Sequence, residues 1–148
     1  MIVWLSMFAA LLAGSMLPLQ AGVNAQLARA GGNALWASGI SFLVGTLTLL
    51  MVYSSLRLTW PSFHELKEAP LWAWSGGLMG AFFVTCMAFF APRLGATTLL
   101  ALVISGQILA SLLLDHFGAI GFNVHEINLW RILGVILIAA GVLLVRKF

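Results

Sequence analysis

The chain opens with an apolar run that starts at Ile2 and carries no charge until Arg29, and four further apolar runs follow, each bounded by charged or turn-forming residues. A helix that crosses a bilayer needs roughly 20 predominantly apolar residues. The pattern therefore predicts five spans, near Ile2 to Ala30, Ala34 to Leu56, Leu71 to Ala91, Ala96 to Leu114 and Leu129 to Val145. Gly31, Gly32 and Asn33 separate the first two, Pro92, Arg93 and Gly95 separate the third from the fourth, and Arg146 with Lys147 closes the last. Trp4, Trp36, Tyr53, Trp72, Trp74 and Trp130 fall near these borders, where amphipathic rings prefer the headgroup layer.

Polar residues interrupt the first run. The stretch LPLQAGVNAQLARAGGN places Pro18, Gln20, Asn24 and Gln26 inside a segment otherwise fit for lipid. Amides in hydrocarbon are costly unless they face protein, water or a ligand, so this helix is expected to line something. Unbroken, it would run about 29 residues, or roughly 43 Å, against a hydrocarbon core of roughly 30 Å. Pro18 removes the bond to the carbonyl of Gly14, and a kink close to mid-membrane is expected. Interrupted helices at that depth often form transporter sites. Gln20 and Asn24 lie four residues apart and share one face. Two roles fit them: contact with a solute in a pathway, or hydrogen-bonded glue between helices that Gly14 and Gly22 allow to approach closely.

In the fourth run Thr97, Ala101, Ile104, Ile108, Ser111 and Asp115 recur at steps of four and three, with Gln107 one turn before Ser111. This is a faintly polar stripe that ends in a carboxylate. Asp115 is the acid closest to a span and the candidate for proton coupling or cation attraction; the alternative is a helix-end carboxylate wetted by headgroups.

Composition excludes most other classes. The 148 residues are 62% hydrophobic and 7% charged, with a mean hydropathy of +1.09, whereas about a quarter of the residues in a soluble domain are charged. The chain is an all-α membrane protein, read as a single five-helix transmembrane domain over 1–148 with no soluble catalytic domain. The first run lacks a basic segment before it and exceeds the usual signal-peptide core, so it is expected to stay as a span. The formal charge of +3 is spread over segment ends, which offers no nucleic-acid surface. No nucleophile-base pair, paired carboxylates or phosphate loop is present, so no enzymatic activity is expected. His116, His125, Asp115 and Glu126 match no ligand spacing, and neither a metal nor a cofactor is expected. Cys86 stands alone in an apolar run as a packing residue.

The polar stretches Arg57 to Ala69 and Asp115 to Asn128 are expected on one membrane face. The opposite face carries Arg29, Arg93, Arg146 and Lys147, against Arg57, Lys67 and Arg131 on the first. Cations near span ends set orientation, and this near tie predicts either weakly biased insertion or insertion both ways, with pairing to an inverted copy.

The segments LPLQAGVNAQLARAGGNALWASGISFLVGT, APRLGATTLLALVISGQILASLLLDHFG and WRILGVILIAAGVLLV together resemble the YdcZ-type inner-membrane proteins of the drug/metabolite transporter superfamily, over nearly the whole chain. The final segment is shared loosely with EamA-like halves and small multidrug transporters. The resemblance implies a multi-pass inner-membrane transporter or exporter, a five-helix half of a fold built from two inverted halves. Its partner would be an inverted copy of itself or a related five-helix half, with membrane lipids around it and a small-molecule substrate. Small multidrug transporters use a glutamate in their first span; here only the amides of Gln20 and Asn24 stand there. The expected pathway lies at the dimer interface, lined by the first helix through Pro18, Gln20 and Asn24 and helped by the third and fourth, the fourth contributing Gln107 and Ser111. A lipid-handling protein and a non-transporting accessory subunit are the rival classes.

Overall fold

A computed structural model describes residues 2–147, and every regular element among them is helical. The helices are α1 (Ile2–Gly31), α2 (Ala34–Ser55), α3 (Phe63–Glu68), α4 (Gly76–Leu94), α5 (Ala96–Phe117) and α6 (Leu129–Lys147). The side chain of Arg146, one of the flanking cations, lies outside the described residues. Four segments are long and apolar enough to cross a membrane: Ile2–Gly31, Ala34–Ser55, Leu71–Leu94 and Ala96–Phe117. The fifth predicted span begins at Leu129 as expected, but its apolar stretch, Leu129–Leu144, is shorter than the other four.

The chain divides into two compact units, Met1–Arg93 and Leu94–Phe148. In the first, α1 and α2 form a tight hairpin. Gly32 takes φ +74°, a left-handed conformation that glycine adopts freely, and Asn33 caps α2 by accepting the N–H of Leu35 at 2.7 Å. The residues that bury are mostly small: Ala21 and Ala25 of α1, Ala37 and Ser38 of α2, Val84 and Ala88 of α4. Membrane helices approach through such residues because lipid supplies no hydrophobic drive between them. Most large apolar side chains stay outside instead, Leu11 at 71% exposure among them, with Met87 and, in the second unit, Leu99 as buried exceptions. In water that surface would be untenable; in a bilayer it is the solvated face.

The structure departs from the expected borders and loops in four places, the first being the third span, which opens as a 3-10 turn over Leu71–Ser75 before α4 begins at Gly76. Pro92 does not end α4, which runs to Leu94 and stops at Gly95 with φ +76°. A proline this late removes one backbone donor, and the glycine makes the turn. α5 continues to Phe117, where Gly118 in the left-handed region donates to the carbonyls of Leu114 and Asp115. The polar stretch after α2 is not simply a loop. Ser62 and Glu65 form a reciprocal capping box that starts α3, with the Ser62 N–H donating to Glu65 Oε2 at 2.7 Å. These hydrogen bonds from Ser62 hold the Glu65 carboxyl below its ordinary value of 4.5.

In the second unit α5 packs against α6. The connection between them is strapped down: His125 donates its N–H to the Asp115 carbonyl at 2.8 Å, and Ile127 donates to His116 Nδ1 at 3.3 Å. Asn128 caps α6 by accepting the N–H of Arg131 at 3.0 Å.

Candidate functional site

Gln20, Asn24 and Ala28 recur at steps of four along α1 and so stack on one face of it. That face meets α2 and α4 around two clefts, both wholly within the first unit. The smaller, of about 210 Å³, is lined by Gln20, by Ser41, Phe42, Gly45 and Thr46 of α2 and by Val84 of α4. Among the described residues, the side chains of Gln20, Ser41 and Thr46 make no hydrogen bond, so each has donor and acceptor capacity to spare. The larger cleft, of about 630 Å³, lies at the hairpin end and takes in Ala28, Arg29, Asn33, Phe89 and Arg93.

Asn24 lies one turn from each cleft lining. It is 4% exposed, and its amide has no hydrogen-bond partner among the described residues. Yet no side-chain nitrogen or oxygen there is both sealed and unbonded, so the amide keeps an opening. A buried amide normally finds partners, and the opening at this one leaves room for a water or a ligand to supply them.

Pro18 is half-buried two residues before Gln20, and α1 runs through it as one 30-residue helix. At 1.5 Å per residue that is about 45 Å, longer than a hydrocarbon core. Gln107 and Ser111 belong to the second unit, where both are exposed on α5. Asp115 in the same unit is engaged: its Oδ2 accepts from Arg131 Nη1 at 3.2 Å, each side chain being 31% exposed. Arg131 Nη1 also donates to the His125 carbonyl at 3.2 Å, so the pair fastens the α5–α6 connection to the start of α6.

Ser41 and Thr46 are additions that the structure makes to the sequence-predicted set. A faint signal for Ser41 exists in GISFLVGT, where it and Gly45 stand four apart and share one face of α2; Thr46 has none beyond its hydroxyl. Arg29 and Arg93 look like interfacial cations in the sequence, because nothing in their separation along the chain brings them to one cleft.

A family model described as "Putative inner membrane exporter, YdcZ" matches residues 5–144. No curated protein and no solved structure gives a significant match to the chain.

Proposed function

The chain belongs to the YdcZ family of the drug/metabolite transporter superfamily, a multi-pass inner-membrane protein of a transport family, and from that premise we propose that it exports a small solute along the α1 face bearing Gln20 and Asn24. This reading is carried by the Asn24 amide, 4% exposed and unbonded among the described residues, one turn from an open cleft with three unbonded polar side chains. Glue within the chain would reveal itself as a hydrogen bond to a neighbouring helix. A solute path instead requires polar groups that are held in place and left free.

In this reading α6 is a fifth span, and one chain is half of the working unit. The partner is an inverted copy or a related half, and alternating access comes from rocking of the two halves about a mid-membrane site near Pro18. The near tie in flanking cations supports dual insertion. Gln107 and Ser111 are further contacts contributed by α5. Asp115 acts in coupling only by leaving Arg131, which makes the ion pair a latch.

The test works without naming the solute in advance. Culture medium of cells overexpressing the chain is profiled by mass spectrometry beside cells carrying Gln20→Ala with Asn24→Ala at equal membrane abundance. At least one small molecule is enriched by the wild type and falls to the empty-vector level in the variant. Identical profiles for wild type and variant would refute the path. Paired carboxyl-terminal reporters active on opposite membrane faces test the inverted partner: both score if insertion is dual, and a single signal removes the inverted homodimer.

A further inference from the structure

The larger cleft of the first unit carries an unbalanced charge. Arg29, on the last turn of α1, and Arg93, on the last turn of α4, both line it. Two guanidinium groups on one cleft repel unless an anion joins them. The protein supplies none among the described residues: the carboxylates of this unit are Glu65, bonded to Ser62, and Glu68, paired with His64 at 3.6 Å. Arg29 makes no ion pair or hydrogen bond there. Arg93 is oriented by its own helix, stacked on Phe89 at 3.7 Å and donating through Nη1 to the Phe89 carbonyl. That leaves most of its five donors unused and the group held in place.

A third positive element closes the same cleft. Asn33, Ala34 and Leu35 line it, and they are the cap and first turn of α2. The N–H of Leu35 is taken by Asn33 Oδ1, while those of Ala34 and Trp36 have no protein acceptor among the described residues. The positive end of the helix dipole therefore borders the same cleft that the two arginines, both exposed, line. The rest of the lining is mostly apolar, Ala25, Ala28, Ala88, Phe89 and Pro92, with the Thr85 hydroxyl as one further polar group.

We propose that this cleft is a binding site for an oxyanion, a phosphate or carboxylate group joined to an apolar body, clamped by Arg29 and Arg93 over the start of α2. Guanidinium matches such groups with paired donors, and the alanine floor accepts the attached carbon chain. The bearer is either the headgroup of an anionic phospholipid or a soluble oxyanion. The proposal does not depend on export along the Gln20 face, because binding is read without flux.

Full-length protein in dodecyl maltoside is titrated calorimetrically with dihexanoyl phosphatidylglycerol and, separately, with inorganic phosphate. Either Arg29→Gln or Arg93→Gln weakens binding about tenfold or more, while Arg57→Gln, a cation outside the cleft, leaves it unchanged. Helical circular dichroism and gel filtration establish that each variant is folded, and Arg93→Lys, which keeps the charge and loses the fork, falls in between. Binding of the lipid alone assigns the site to a headgroup; binding of phosphate as well assigns it to a soluble oxyanion. Absence of binding by both probes, or binding that Arg29→Gln and Arg93→Gln leave intact, overturns the proposal.

Discussion

Replacing Asn24 by leucine separates a transport residue from a structural one, because the two roles predict opposite signs for stability. If the amide were glue, its removal would cost the bond it makes, on average about 0.6 kcal/mol for hydrogen bonds between membrane helices. The amide makes no such bond among the described residues, so there is nothing of that kind to lose. It does carry the cost of burying an unbonded polar group, about 1–3 kcal/mol. The opening that remains at its polar atoms places Asn24 at the low end of that range. Leucine has the same number of side-chain heavy atoms and branches at the same atom, so the shape beside Ala21 and Ala25 is kept while its bulkier methyl groups fill the opening at the amide. Asn24→Leu is therefore expected to stabilise the protein by about 1 kcal/mol while abolishing export. The assay is reversible unfolding by sodium dodecyl sulfate in mixed micelles, followed by circular dichroism, beside the medium profile of the same variant. A loss of stability of about 1 kcal/mol or more would overturn the assignment, since it would reveal a bond or a packing role that the geometry lacks.

Three other outcomes follow from the geometry. Asp115→Asn strips the charge from the Arg131 pair and loosens the α5–α6 connection; thermal unfolding in detergent is expected to register a loss of about 1–2 kcal/mol, and a neutral result would mean that the pair holds nothing. Gly31→Ala would drive a methyl group into the Trp36 ring, so the hairpin should lose about 1–3 kcal/mol in the same assay, whereas Gly14→Ala, with nothing within 4 Å, should not lose stability. The capping box of α3 depends on an ionised Glu65, whose carboxyl is lowered in the folded chain. Its contribution is thus complete above 4.5 and lost as pH falls through the lower folded value; the protection of the Glu65 amide against exchange, taken relative to its intrinsic rate, should fall there, and Glu65→Gln should remove that pH dependence.

The spans are legible because lipid writes a simple rule. Long apolar runs between glycines, charges and aromatic rings can do little else, and Ala34, Ala96 and Leu129 begin helices where the runs begin. Local polar chemistry and distant pairing are harder to read. Ser62 to Glu65 is too short for any periodicity to register, although the spacing of its cap is readable. Pro92 resembles a break only under a rule that holds for helix interiors and fails near a helix end. Gln20 and Asn24 stand out as amides in an apolar run, whereas Ser41 and Thr46 do not, since hydroxyls are common in membrane helices, where they bond to their own backbone as Thr48 does to Val44. The Asp115–Arg131 pair spans sixteen residues and a loop, so no helical spacing announces it. The Arg29–Arg93 cleft depends on how α4 sits on the hairpin, which the pattern along one chain does not encode.

Export along α1 requires that the cleft at Gln20 be wet and the outer face of α2 be dry. In a Cys86→Ala background, Gln20→Cys and Leu43→Cys are exposed in membranes to a charged, membrane-impermeant maleimide, which reacts with thiolates in water and not with thiols in hydrocarbon. Gln20→Cys is expected to label from at least one side and Leu43→Cys from neither. Failure of Gln20→Cys to label, with a cysteine placed in the α3 connection labelling normally, would contradict a wet path at this helix.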